Sequence, residues 1–149
     1  MPNFSIEIPI DADASLAWEI WSDFQNFDRI LPIKIQGGTG SNEPGAVRTL
    51  EMNSSIVVER LENRDEQLKQ QIVSALTHFV PIQNLVTSTK ILEKDSGVIL
   101  SFEQSYLSCS LSVETTEEIL TGNCQTVAGA LEGAAKRKKE GIEADANAE

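Results

Sequence analysis

A chain of 149 residues, 40% of them hydrophobic, is long enough for one domain with a core of its own. Its 23 acidic and 12 basic residues leave a net charge of -11, which opposes nucleic acids and anionic membrane surfaces as partners. No stretch approaches the roughly 20 apolar residues of a membrane span, and no basic segment precedes an apolar run at the N-terminus, so a cytoplasmic protein without stable membrane insertion is expected.

Phe4 to Ile10 alternates polar and apolar residues and predicts a strand that Asp11 to Asp13 break. Asp13 or Ser15 can N-cap a short helix through Phe24, in which Leu16, Ile20 and Phe24 share a face and Trp18 and Trp21 flank it. A second helical turn is expected over Asp23 to Arg29, with Asp23 as its cap, ended by Pro32. After an extended IKIQ, the glycine-rich run from Gly37 to Gly45 reads as a connection. Strands are expected over Ala46 to Met52, Ser55 to Glu62, Gln67 to Leu76, Asn84 to Leu92, Gly97 to Tyr106 and Ser108 to Val113, with turns at residues 63 to 66 and 93 to 97. From near Glu114 to near Lys139 the period becomes helical, with Ile119, Leu120, Asn123, Val127, Ala130, Leu131 and Ala134 as the inward stripe. The cations of residues 136 to 140 then sit where a helix C-terminus favours them. Residues 141–149 read as an acidic, disordered tail behind a single domain over residues 1–140. Strands followed by one long helix indicate an α+β protein with an antiparallel sheet.

The strand period also sorts candidate site residues. Ala46, Arg48, Leu50 and Met52 share one face, and Val57, Glu59 and Leu61 share a face of the next strand, so an arginine and a glutamate stand among apolar neighbours. Counting outward from a turn near Asn53 and Ser54 brings Arg48 opposite Glu59. Buried charge must be paired, hydrated or ligand-bound, which leaves two readings open: a polar end to an apolar pocket, or a cross-strand ion pair. Leu68, Gln70, Ile72, Ser74 and Leu76 are read as one inward face, Leu85, Thr87, Thr89 and Ile91 as a second, and Phe102, Gln104 and Tyr106 as a third. Amides and hydroxyls in that layer indicate a partly hydrated pocket, toward which Asn123, Val127 and Leu131 of the helix are expected to point. His78, the only histidine, reads as a solvated loop residue, and Cys109 and Cys124 have no metal-ligand spacing. Reduced structural thiols, no metal and no cofactor are expected.

Four segments in order, WEIWSDFQNFDRILP, PGAVRTLEM, VVERLENRDEQLKQQI and VPIQNL, resemble the polyketide cyclase/dehydrase and lipid-transport family of the START-like, birch-pollen-allergen superfamily (SRPBCC), over roughly Phe4 to Lys136. The resemblance implies a helix-grip fold, a bent seven-stranded antiparallel sheet around a long C-terminal helix with two short helices, and a hydrophobic cavity between sheet and helix. The expected lining is Arg48, Leu50, Met52, Val57, Glu59, Leu61, Gln70, Ile72, Ser74, Leu85, Thr87, Thr89, Phe102, Gln104, Tyr106, Asn123, Val127 and Leu131. The partner so implied is a small hydrophobic molecule such as a lipid, isoprenoid or aromatic metabolite, held by a monomer or weak homodimer. Plant abscisic-acid receptors are similar through VRTL, VVERL and QNL, but their hormone-gripping lysine aligns with about Pro32 and their tyrosine after Asn is Leu85. The cavity lysine of the amine-condensing plant enzymes of this fold has no counterpart. The alternatives are a cofactor-independent cyclase, aromatase or dehydratase, with Arg48 polarising a carbonyl and Glu59 or Tyr106 moving a proton, and a protein-interaction module whose cavity has collapsed.

Overall fold

The computed structural model describes residues 3–31, 33–38, 41–52, 54–77, 82–107 and 110–147. Strand β1 (Asn3–Ile10) leads into helix α1 (Ala14–Trp21) and a 3-10 helix (Phe24–Arg29). Strands β2 (Lys34–Gly38), β3 (Val47–Met52), β4 (Ser55–Asp65), β5 (Gln70–Thr77), β6 (Val86–Lys94) and β7 (Gly97–Ser105) follow, and helix α2 (Val113–Asn147) closes the chain. All seven strands form one antiparallel sheet in the order β1-β7-β6-β5-β4-β3-β2. Strands β1 and β2 are therefore its two edges, and register shifts in β4 and β2 let it bend.

Helix α2 lies against the sheet because both faces are apolar at matching positions. Ile91, Val98, Leu100 and Phe102 of the sheet form one buried cluster with Cys124, Ala128, Leu131, Ala134 and Ala135 of α2. Trp18, Ile20 and Trp21 of α1 close that cluster from one end, Trp21 standing edge-on to Phe27 and Phe102. A second cluster, Ile82, Leu85, Tyr106 and Leu120, fills the opposite end of the grip. Both helix starts are capped as short polar side chains allow: Asp13 accepts from the Leu16 amide at 3.0 Å, and Ser112 from the Thr115 amide at 3.1 Å. Lys138 ties α2 to Glu19 of α1.

Several expected boundaries move. Strand β4 continues to Asp65, so the turn expected at residues 63 to 66 falls on residues 66–69 instead, where Lys69 takes a φ of 49°. Strand β5 consequently begins at Gln70 and its alternation is shifted by one residue: Gln71 and Val73 are buried, while Leu68 and Leu76 are exposed. The strand expected over Ser108 to Val113 does not form among its described residues, because Ser112 caps the helix and Val113 is its first residue. Helix α2 runs past Lys139 to Asn147, so the 136 to 140 cations lie inside it and the stretch from Gly141 to Asn147 is helical. Its buried centre is Thr116, Leu120, Cys124, Ala128 and Leu131, leaving Asn123 half-buried on the flank.

The turn between β6 and β7 depends on Gly97, whose φ of 101° suits glycine and whose missing Cβ would come 2.5 Å from the Ile10 carbonyl. Gly97→Ala is therefore expected to destabilise the protein by about 1 to 3 kcal/mol, read as a lowered denaturation midpoint at unchanged slope.

Candidate functional site

Arg48 and Glu59 face each other across β3 and β4, as counting from the turn requires. Arg48 is 4% exposed. Its Nε and Nη2 donate to Glu59 Oε1 at 2.9 and 2.8 Å, and its Nη1 donates to the Phe24 carbonyl at 3.0 Å. The guanidinium plane lies 4.1 Å from the ring centroids of both Phe24 and Phe27. A planar, weakly hydrated cation fits such a slot where an ammonium would not. Sheet and 3-10 helix are thus joined through one side chain, and three of its five N–H donors are directed at Glu59 and Phe24.

The inward face is laid out in rungs by the strand register. Gln71, Thr89 and Phe102 stand side by side on one rung, and Leu61, Val73, Thr87 and Gln104 on the next. Arg48, Glu59 and Ala75 make a third. Leu50, Val57, Leu85, Phe102 and Tyr106 are buried as expected, and Leu61 and Leu131 have no accessible surface at all. A residue that a water-sized probe cannot touch is packed rather than lining open space. By contrast Glu59, Ala75 and Thr87 sit on interior strands, face inward, and still keep accessible surface. Asn123 and Val127 are half-buried on α2. The backbone of α2 packs most closely on β1 and α1, α1 also on β6, and the 3-10 helix on β2, so β4 and β5 are among the strands these elements approach least.

Polar groups lie within this layer. Gln104 Nε2 donates to Thr87 Oγ1 at 3.0 Å, and Cys124 Sγ lies 3.7 Å from Gln104 Oε1. Gln71 is 2% exposed, and its Oε1 has no hydrogen-bond partner. Sequence reasoning placed Gln70, Ile72 and Ser74 here, but the bulge in β4 and the turn at Lys69 put these three on the outer face, where Gln70 Nε2 donates to Ser88 Oγ at 2.9 Å. Gln71 was missed for the same reason. Met52 pairs with Ser55 through the backbone, while its side chain, His78 and Cys109 lie outside the described residues.

A separate surface cleft of about 410 Å³ lies outside the grip, between Trp18, Ser22, Asp23, Asn42, Arg64 and Glu66. Asp23 makes no capping hydrogen bond, contrary to expectation, and instead accepts from Asn26, Asn42 and Arg29. Burial by itself raises its pKa, but those hydrogen bonds and the Arg29 charge outweigh that and hold the carboxyl below its usual range. Trp18 Nε1 donates to Glu66 at 2.6 Å and Arg64 to Glu66 at 2.8 Å, and the Trp18 hydrogen bond first, then Arg64, lowers the Glu66 pKa. The charged groups of this cleft are engaged with one another, which suits a brace between α1 and the bulged end of β4.

The Arg48 pair makes an unequal prediction. Glu59→Gln leaves a buried cation, and its cost is expected near the low end of about 3 to 5 kcal/mol because Glu59 keeps one-fifth of its side chain in solvent. In Arg48→Met the remaining carboxylate can hydrate, and the loss comes mainly from the two ring contacts; a double-mutant cycle in urea separates the two contributions. Burial pushes the Cys124 thiol up to about 12, so it is expected to resist iodoacetamide at pH 8 in folded protein and to react on unfolding. With the folded pKa raised, this group's contribution to stability is complete below about pH 9 and is lost as pH rises toward 12. Peptide mapping of Cys124 after a pH-stepped alkylation checks both statements.

No family model and no curated protein sequence matches the chain. Solved structures do. XoxI from Bacillus cereus superposes with a TM-score of 0.76 at 17% identity, over 93% of this chain and 99% of that one. Ara h 8.0201 gives 0.72 at 14% identity, over 91% and 98% of the two chains. A START superfamily protein from Mycobacterium smegmatis gives 0.70 at 14% identity, over 91% and 97%. At these identities the likeness speaks to architecture, and with the seven-stranded order and the long terminal helix it establishes that the chain has a helix-grip fold like that of these structures.

Proposed function

We propose that this protein binds a small, mostly apolar molecule bearing a hydroxyl group, between the inward face of β4 to β6 and helix α2. The observation that carries the reading is the accessible surface kept by the inward-facing Glu59, Ala75 and Thr87, next to the rung of Gln71, a packed amide whose Oε1 has no hydrogen-bond partner. An orphaned acceptor costs about 1 to 3 kcal/mol in a core, so a side chain that served packing alone would be apolar. Trp21 Nε1, also buried without a partner, supplies a donor near the same rung, through its contact with Phe102. A ligand hydroxyl can donate to Gln71 Oε1, and a ligand oxygen can accept from Trp21 Nε1. The surrounding aliphatic and aromatic side chains match a lipid, isoprenoid or aromatic metabolite. Arg48 and Glu59 act in this reading as the wall of the site. The alternative of a cyclase with Arg48 polarising a carbonyl has to be served by the two remaining N–H donors of a side chain that is 4% exposed.

Native mass spectrometry of protein purified from its own host is expected to show a bound small molecule, and the apolar dye N-phenyl-1-naphthylamine is expected to bind and be displaced by it. Gln71→Met is expected to leave the unliganded protein as stable or about 1 kcal/mol more stable, since it removes the orphan, while weakening the natural ligand. Lower stability with unchanged binding would make Gln71 a structural residue and overturn the reading.

A further inference from the structure

The connections β3–β4 and β5–β6 and the approach from β7 to α2 all lie at one end of the sheet, because alternate turns of an antiparallel meander share an end. Hydrogen bonds knit them there: the Val58 amide donates to Thr77 Oγ1 at 3.0 Å, and the Leu107 amide to the Gln83 carbonyl at 2.8 Å. In sequence these three stretches hold none of the 23 acidic and 12 basic residues. Met52 to Val58, Ser74 to Thr89 and Gln104 to Val113 contain no Asp, Glu, Lys or Arg. Ile56, Leu76, Leu107 and Val113 are 44, 48, 49 and 59% exposed at this end, and Leu68 is the one other exposed large apolar side chain among the described residues, at the opposite end. In a molecule of net charge -11 these three stretches are free of ionised side chains, with Lys34 and Glu51 paired beside them, and large apolar groups are left open there.

We propose that this end docks reversibly on a lipid bilayer of neutral or zwitterionic headgroups, from which the apolar ligand is taken. The proposal rests on the ligand-binding reading above. The four side chains belong to the ends of four different elements, a set of separate points rather than a flat face, which suits insertion among headgroups better than a rigid protein interface. The charges nearest the inserting groups are Glu51, paired across the strands with Ile56 and with Lys34, and Glu114. The net charge, and Glu51 and Glu114 bordering the rim, repel an anionic surface, which restricts the partner to uncharged or zwitterionic lipid.

Flotation with phosphatidylcholine vesicles is the test. The wild-type protein is expected to float, with little change on added salt and with less binding when phosphatidylglycerol is mixed in. Ile56→Ser combined with Leu107→Ser is expected to lower vesicle affinity about tenfold, with unchanged melting temperature, while Leu68→Ser at the far end leaves it unchanged. Binding of N-phenyl-1-naphthylamine without vesicles reports the interior separately: dye bound but no flotation overturns the docking proposal alone, and no dye bound overturns the ligand-binding reading. Flotation unaffected by the paired serine substitutions overturns the assignment of the rim. Self-association in sedimentation velocity that the same substitutions abolish overturns it in favour of a second copy of the chain.

Discussion

The guanidinium of Arg48 is the constraint around which the rest of this molecule is arranged. It is a permanent charge inside the fold, and each feature near it answers that fact: Glu59 directly opposite, a helix-terminal carbonyl offered by Phe24, and two phenylalanine faces above and below. The 3-10 helix is held to the sheet by this polar joint and by an apolar seam, Phe24 packing with Ala46, Leu61 and Val73 and Phe27 joining the main cluster. Such a joint has one good arrangement, whereas sliding aliphatic contacts have many.

Between the two apolar clusters lies a layer of amides and hydroxyls, Gln71, Thr87, Thr89 and Gln104, with the Cys124 thiol facing it. Part of this layer is internally satisfied and part is not, a mixture that a purely structural core avoids. The raised pKa of Cys124 belongs to the same picture, because a thiol kept neutral by its surroundings behaves as a small hydrophobe with a weak donor. The groups beside Gln104 thus offer hydrogen bonds within an apolar surround.

The architecture and the Arg48–Glu59 register were legible in the sequence because hairpin geometry and a period of two leave little freedom once the turn at residues 53 and 54 is located. Strand β6 and β7 faces followed for the same reason, with Gly97 marking their turn. Strand β5 was misread by one residue. Two departures from regular pairing in β4 and a left-handed Lys69 shift its phase, and neither a bulge nor a positive φ at lysine carries a signal in one sequence. The end of α2 was misread because glycine at 141 and a run of cations look like a stop, while helix continuation is decided by backbone hydrogen bonds that those residues do not prevent. Asp23 looked like a cap and is a clamp, since its partners Asn42 and Arg29 come from outside its own first turn.

The open sheet leaves two unpaired edges, a problem that a closed barrel does not have. Along β1 the edge is interrupted by Pro9, which has no N–H to offer a further strand, and Glu7 adds a charge to the same exposed face of the pleat. At the other edge β2 has only five residues and an irregular step between Ile35 and Gly37. Both rims are thereby unsuited to templating another chain. A protein so built can carry apolar side chains openly at the tips of its elements, because the route by which exposed hydrophobic surface usually proceeds to cross-strand aggregation is blocked at its first hydrogen-bonded step.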